Sequence, residues 1–189
     1  GCENLTLVSP SHVVPQIAEA LEIAKRRGFS LPVVYNSGGY DRVETLRMIE
    51  GLVDIYMPDC KYSDNEIAKE LSGVPDYWDV CREALREMHR QVGDLVIEGG
   101  LAKRGLLVRH LVLPGGLAGT EEVVKFLASL SPNTFLNLMA QYYPAYLAVG
   151  HPVLGRRITR EEYAEAVRVA KKYLKRVMVD EWKLRGWGS

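Results

Sequence analysis

Runs of β-branched and aliphatic residues alternate with stretches whose apolar side chains recur at three- and four-residue spacing along most of the 189 residues. This alternation constrains the fold more than any other feature. A strand buried on both faces reads as a short continuous apolar run, and a crossover helix reads as an amphipathic stretch. Repeated in this order, the two specify a parallel sheet with helical crossovers, an α/β fold. The units recur about every 25 residues with no linker between them, which favours a whole or partial barrel over an open two-sided sheet.

The first expected strand is Leu5 to Val8, followed by Ser11 as a helix cap and a helix carrying Val14, Ile17, Leu21 and Ala24 that Gly28 ends. Pro15 falls in its first turn, where a missing amide hydrogen costs nothing. A second strand, Leu31 to Tyr35, runs into Asn36-Ser37-Gly38-Gly39, and Asp41 with Glu44 has the spacing of an acidic capping box. Val53 to Met57 is the third strand, and a helix from about Asp76 to Gln91 has Val80, Ala84, Leu85 and Met88 as its inner face. Leu106 to Leu113 is the fourth strand, against which Asp94 to Glu98 pairs across Gly99-Gly100. Thr120 caps a helix bearing Val123, Val124, Phe126 and Leu127, and Thr134 to Met139 is the fifth strand. Thr159 with Glu162 is a capping box opening a helix that runs through Leu174, and Val177 to Val179 is a short sixth strand.

Lys and Arg number 24 and Asp and Glu number 24, so net charge points neither to nucleic acid nor to an anionic membrane. The three cysteines, Cys2, Cys60 and Cys81, are too far apart for a zinc or disulfide framework, and reduced thiols in a cytoplasm are expected. No stretch approaches the roughly 20 consecutive apolar residues of a spanning helix, and no export signal is visible. Length and the lack of a linker imply one domain over residues 1–189. The chain opens at Gly1 with a strand close behind, the pattern expected of a fragment.

In parallel α/β folds ligands bind at the carboxyl ends of the strands. Here those positions hold Asn36-Ser37-Gly38-Gly39, Asp59-Cys60-Lys61, Arg109-His110 with Pro114-Gly115-Gly116, and Gln141-Tyr142-Tyr143. A carboxylate, an ammonium, a guanidinium, amides and flexible glycines suit a zwitterionic small molecule with a hydroxyl-bearing ring, such as a nucleoside joined to an amino acid. Each piece also has a plain structural reading: Asn-Ser-Gly-Gly as a turn, Asp59 with Lys61 as an ion pair, His110 as a core histidine, Pro114-Gly115-Gly116 as a strand stop. Their gathering at one end of successive strands is what favours a ligand site.

Gly1-Cys2-Glu3-Asn4 resembles the GGEP segment of radical S-adenosylmethionine (SAM) proteins with two substitutions. The stretches Tyr35–Tyr40, Tyr56–Tyr62, Val108–Gly115 and Asn137–Pro144 resemble, in the same order, successive strand ends of the pyruvate formate-lyase-activating-enzyme type. The resemblance covers nearly the whole chain and implies a partial (β/α)6 TIM-like radical SAM barrel lacking its first strand. It implies SAM contacts by Glu3 or backbone near it at the amino group, Asn36 and Ser37 near the ribose, Asp59 and Lys61 at the methionine end, Arg109 on the SAM side, and Gln141 or Tyr142 where some relatives place a ribose-contacting His.

The same resemblance implies a [4Fe-4S] cluster and reductive cleavage of SAM to a 5′-deoxyadenosyl radical for hydrogen abstraction, in the intact enzyme, with an electron donor and a glycyl-radical-type protein as partners. The CxxxCxxC motif that would hold the cluster is missing from these residues. Its ligands are therefore expected upstream, no residue here is expected to bind metal or to act as a catalytic group, and the fragment alone is expected to be inactive. Two other readings stay open: a barrel lyase forming a Schiff base on Lys61, and a ligand-binding barrel without catalysis.

Overall fold

A computed structural model describes residues 1–185 of the chain. Seven strands form, β1 (Leu5–Val8), β2 (Val33–Ser37), β3 (Ile55–Pro58), β4 (Val96–Glu98), β5 (Leu101–Leu111), β6 (Phe135–Met139) and β7 (Arg176–Val179). They are hydrogen-bonded in the order β1-β2-β3-β5-β6-β7, with β4 paired to β5 off this path. The pairs β1–β2, β2–β3, β3–β5 and β6–β7 are parallel, and the β4–β5 hairpin is antiparallel. β1 and β7 stand at the two ends of this order, so the sheet is not closed and the fold is a partial barrel of the α/β class, as the alternating pattern implied. Among the described residues no helix is long and apolar enough to cross a membrane.

The residues group into two compact units, Gly1–Asp59 with Asp79–Val108, and Cys60–Trp78 with the chain from Arg109 onward. In the first unit, α1 (Val14–Arg26) and α2 (Val43–Arg47) connect β1, β2 and β3, whose Val33, Val34, Tyr35, Ile55 and Tyr56 are buried. Two-sided burial follows from the parallel arrangement, because crossover helices cover the sheet. Tyr35 and Tyr56 meet edge to face at 5.7 Å. A buried phenol needs a hydrogen-bond partner, and Tyr56 donates to Gln91 Oε1 at 2.6 Å. Most of α4 (Tyr77–Val92) also lies in this unit, with Cys81, Ala84, Leu85 and Met88 fully buried. Val80, expected on that face, is only half-buried: the buried stripe runs 81, 84, 85, 88, 92, so Cys81 takes the inner position.

In the second unit α3 (Asn65–Ser72), α5 (Thr120–Leu130), α6 (Arg160–Tyr173) and α7 (Glu181–Arg185) accompany the end of β5, β6 and β7. Val123, Val124, Phe126 and Leu127 are buried, as their spacing required. The capping box at the start of α6 forms in full: Glu162 N donates to Thr159 Oγ1 at 3.1 Å, and Thr159 N donates to Glu162 Oε2 at 2.7 Å. Tyr163 anchors the same helix, donating to the Leu138 carbonyl at 2.8 Å and accepting from Asp180 N at 2.7 Å.

Three expected caps are corrected. α1 begins after Val13 with no side-chain cap, and Ser11 sits instead in a 3-10 turn, Pro10–His12. α2 begins after Arg42 without a capping box, because the Asp41 carboxylate is taken by hydroxyl donors. Thr120 is the first residue of α5, not its cap; Gly119 precedes the helix, and the Thr120 hydroxyl bonds His110. α3 was not expected, although Asp64 caps it through two backbone amides and the left-handed Gly73 closes it. The expected second and third strands begin two residues late and extend through Ser37 and Pro58, which puts both ends deeper into polar sequence.

Candidate functional site

In the first unit the polar ends of β2 and β3 come side by side. Tyr35 and Ser37 are both buried and reach one carboxylate, Asp41, itself 3% exposed. Tyr35 Oη donates to Asp41 Oδ1 at 2.9 Å, Ser37 Oγ to Oδ2 at 2.6 Å, and Ser11 Oγ to Oδ1 at 2.5 Å. Hydrogen bonds to an ionised acceptor are the stronger kind, and three of them make up for the water a buried carboxylate has lost. Burial, reinforced by the Asp41 charge, holds the Tyr35 phenol well above its usual range, so it stays a donor. The Ser37 hydroxyl also accepts from Gly39 N at 3.2 Å.

Gly39 is required where it stands. Its φ is +77°, and a Cβ there would fall 2.0 Å from the Asp59 carbonyl oxygen. The turn after β2 therefore lies against the backbone of Asp59, whose amide donates to the Ser37 carbonyl at 2.9 Å. Asn36, half-buried, Ser37 and half-buried Asp59 thus adjoin at the carboxyl ends of β2 and β3. Glu3 is exposed and precedes β1, whose register sets Val8, five residues further on, abreast of Asn36. Glu3 lies toward the opposite end of β1 from this group. The segment at the carboxyl end of β1 is Ser9–His12, and Ser9 adopts a left-handed φ of 52° while its amide donates to the Asn36 carbonyl at 2.8 Å.

The second unit holds Lys61, Arg109 and Gln141. Cys60 N donates to the Arg109 carbonyl at 2.8 Å, and the Cys60 carbonyl lies 2.6 Å from His110 Nδ1. A carbonyl only accepts, so Nδ1 carries the proton, and Nε2 accepts from the Thr120 hydroxyl at 2.9 Å. Burial outweighs the bond to Cys60 and pulls the His110 pKa down to about 4, so the ring is neutral at pH 7 and serves as the core histidine. Lys61 is exposed, and its amide donates to Tyr77 Oη at 3.0 Å. Arg109 is half-buried; Gln141 is exposed, with Nε2 3.3 Å from Met139 Sδ.

A cleft of about 470 Å³ lies elsewhere in this unit, lined by Leu113, Gly115, Thr120, Glu162 and Glu165 among others, and none of the seven expected contact residues lines it. Cys2 is exposed, Cys60 and Cys81 are buried, and none of the three forms a disulfide. Among the described residues no group of three His, Cys, Asp or Glu side chains is placed to hold a metal ion.

Reasoning from sequence missed the hub at Asp41 and the segment Ser9–His12. The available signal was Tyr35 itself, since a tyrosine in an otherwise apolar buried strand must find an acceptor.

No protein-family model matches the chain. It is 32% identical over 160 residues to an uncharacterized protein of Methanocaldococcus jannaschii, a match covering 84% of this chain and 44% of that protein. The chain thus spans less than half the length of that relative. Among solved structures it is similar to a domain of pyruvate-formate lyase-activating enzyme from Bacteroides vulgatus, with a TM-score of 0.68 over 95% of this chain and 99% of that one. Sequence identity to that domain is 14%, so what the two chains share is the fold, a parallel sheet with helical crossovers.

Proposed function

We propose that this chain is the barrel portion of a radical SAM enzyme of the activating-enzyme type. The observation that carries the reading is the ordered set of polar residues at successive strand ends, on a fold similar to a domain of pyruvate-formate lyase-activating enzyme. The residue types suit SAM: in the first unit Asp59 offers a carboxylate to an ammonium and Asn36 an amide to a ribose hydroxyl, and in the second Lys61 and Arg109 offer cations to a carboxylate and Gln141 an amide. Ser37, committed to Asp41, acts by fixing the backbone that carries Asn36. The Ser9–His12 segment, at the carboxyl end of β1, takes the place at the amino group that Glu3 was expected to hold.

SAM, when bound, supplies the chemistry of hydrogen-atom abstraction; these residues bind and orient it. A [4Fe-4S] cluster does not fit the cysteines described, since two are buried and no group of three His, Cys, Asp or Glu side chains among the described residues is placed to hold a metal ion. In this reading the cluster ligands belong to the part of the protein ahead of residue 1. The partners are an electron donor and a protein whose glycine loses a hydrogen atom.

Lys61→Met tests the reading. In the intact, cluster-loaded protein it should weaken SAM binding about tenfold or more, the cost of about 1.4 kcal/mol or more from a lost charge-assisted contact. The melting temperature should hardly change, because Lys61 is exposed. A lower melting temperature with unchanged SAM affinity would make Lys61 structural and remove the site.

A further inference from the structure

The segment following β6 holds large apolar side chains out in water. Tyr143 is 63% exposed, Tyr146 88%, Leu147 77% and Val149 65%, all within seven residues. The loop is not a frayed tail, because its polar groups are tied within it. Tyr142 Oη donates to the Leu154 carbonyl at 2.9 Å, and the amides of Val153 and Leu154 donate to His151 Nδ1 at 3.1 and 3.0 Å. Gly155 N donates to the His151 carbonyl at 2.9 Å, and a Cβ on Gly155 would come 2.8 Å from the carbonyl oxygens of Val149 and His151. Tyr146 is held at φ 51°, a conformation uncommon for a bulky residue. Fixed apolar display of this kind marks an interaction surface.

Charge indicates what covers it. From Val123 to Arg160 the sequence contains no Asp or Glu; Lys125 on α5 is held by Glu121 and Glu122, and Arg156, Arg157 and Arg160 are the cations that follow the loop. Glu162 binds Arg156, and Glu70 lies 3.7 Å from His151. Arg157 remains at the loop, its guanidinium 4.8 Å from the centre of the Tyr143 ring. A guanidinium stacked on an aromatic face keeps its fork of donors for a carboxylate, and Tyr and Arg are the residues that dominate binding hot spots. A membrane surface would call for a long amphipathic helix with several basic residues, and a nucleic acid for many phosphate-neutralising cations. One stacked arginine beside four apolar anchors fits neither.

We infer that the loop Tyr143–Val149 docks an acidic, apolar-anchored peptide segment of a partner protein, with Arg157 meeting a carboxylate and Tyr146 and Leu147 receiving the apolar side chains. The inference holds whether or not the chain acts on SAM. The test is selection of a random twelve-residue peptide library on the protein, with counter-selection on a Tyr146→Ser/Leu147→Ser variant. Both side chains are exposed, so the variant should melt with the wild type. Expected is enrichment of peptides combining Asp or Glu with apolar residues, binding at least about tenfold more weakly to the variant and to Arg157→Gln. No enrichment, enrichment of basic peptides, or equal binding to the variants would overturn the inference. So would loop-dependent binding to phosphatidylglycerol vesicles in place of peptides, or a self-association that the double substitution abolishes.

Discussion

Acidification from pH 7 to pH 5 should destabilise this fold through one side chain, His110. Its ring is fully buried between the Cys60 carbonyl and the Thr120 hydroxyl and is neutral when folded. The unfolded ring titrates near 6.5 and the folded one near 4. Because the folded pKa is depressed, the unfolded chain binds the proton first, so stability is full above pH 6.5 and falls as pH drops toward 4. The loss approaches about 1.4 kcal/mol per pH unit within that window, giving about 2 kcal/mol at pH 5.

Glu87 and Glu162, held at about 2 by Arg90 and Arg156 respectively, contribute stability that is lost only below about pH 4.5, outside the window. Urea unfolding at pH 7 and pH 5, on wild type and His110→Asn, isolates the effect. With a slope of about 2 kcal/mol per molar urea, the wild-type midpoint should fall about 1 M further than that of the variant. Parallel pH dependence of the two proteins, or an NMR titration of His110 centred near 6.5, would refute the reasoning.

Thr159→Ala removes one half of the α6 capping box and should cost about 1 kcal/mol in urea unfolding. Gly39→Ala places a methyl 2.0 Å from the Asp59 carbonyl at a positive φ and should cost more, about 2–4 kcal/mol, because backbone must move. An unchanged melting temperature would show that the turn after β2 does not lie against Asp59.

The fold was legible where periodicity speaks. β1 was read at its observed limits, and the helix bearing Val123 to Leu127 and the Thr159–Glu162 box were read correctly, because buried stripes and reciprocal caps are local patterns. The strand-end residues were singled out for a topological reason, since ligands of parallel α/β folds bind at the carboxyl ends of the strands. What escaped was set by contacts distant in sequence. Ser11 and Asp41 have the look of caps, but the Ser11, Tyr35 and Ser37 hydroxyls all donate to the Asp41 carboxylate, which leaves neither residue to cap a helix. Thr120 is drawn to His110, ten residues earlier. Glu3 drew notice through its likeness to a family segment in Gly1–Asn4, and the register of β1 against β2 sets Val8, not Glu3, abreast of Asn36.

The most direct test of the central claim is product analysis on the intact protein, reconstituted with iron and sulfide without oxygen and given SAM and a strong reductant. The account predicts 5′-deoxyadenosine and methionine in equal amounts, with less of both from Asp59→Asn and Lys61→Met proteins whose iron content matches wild type. Absence of 5′-deoxyadenosine from a protein that has taken up its iron, or formation at the same rate in both variants, would contradict it.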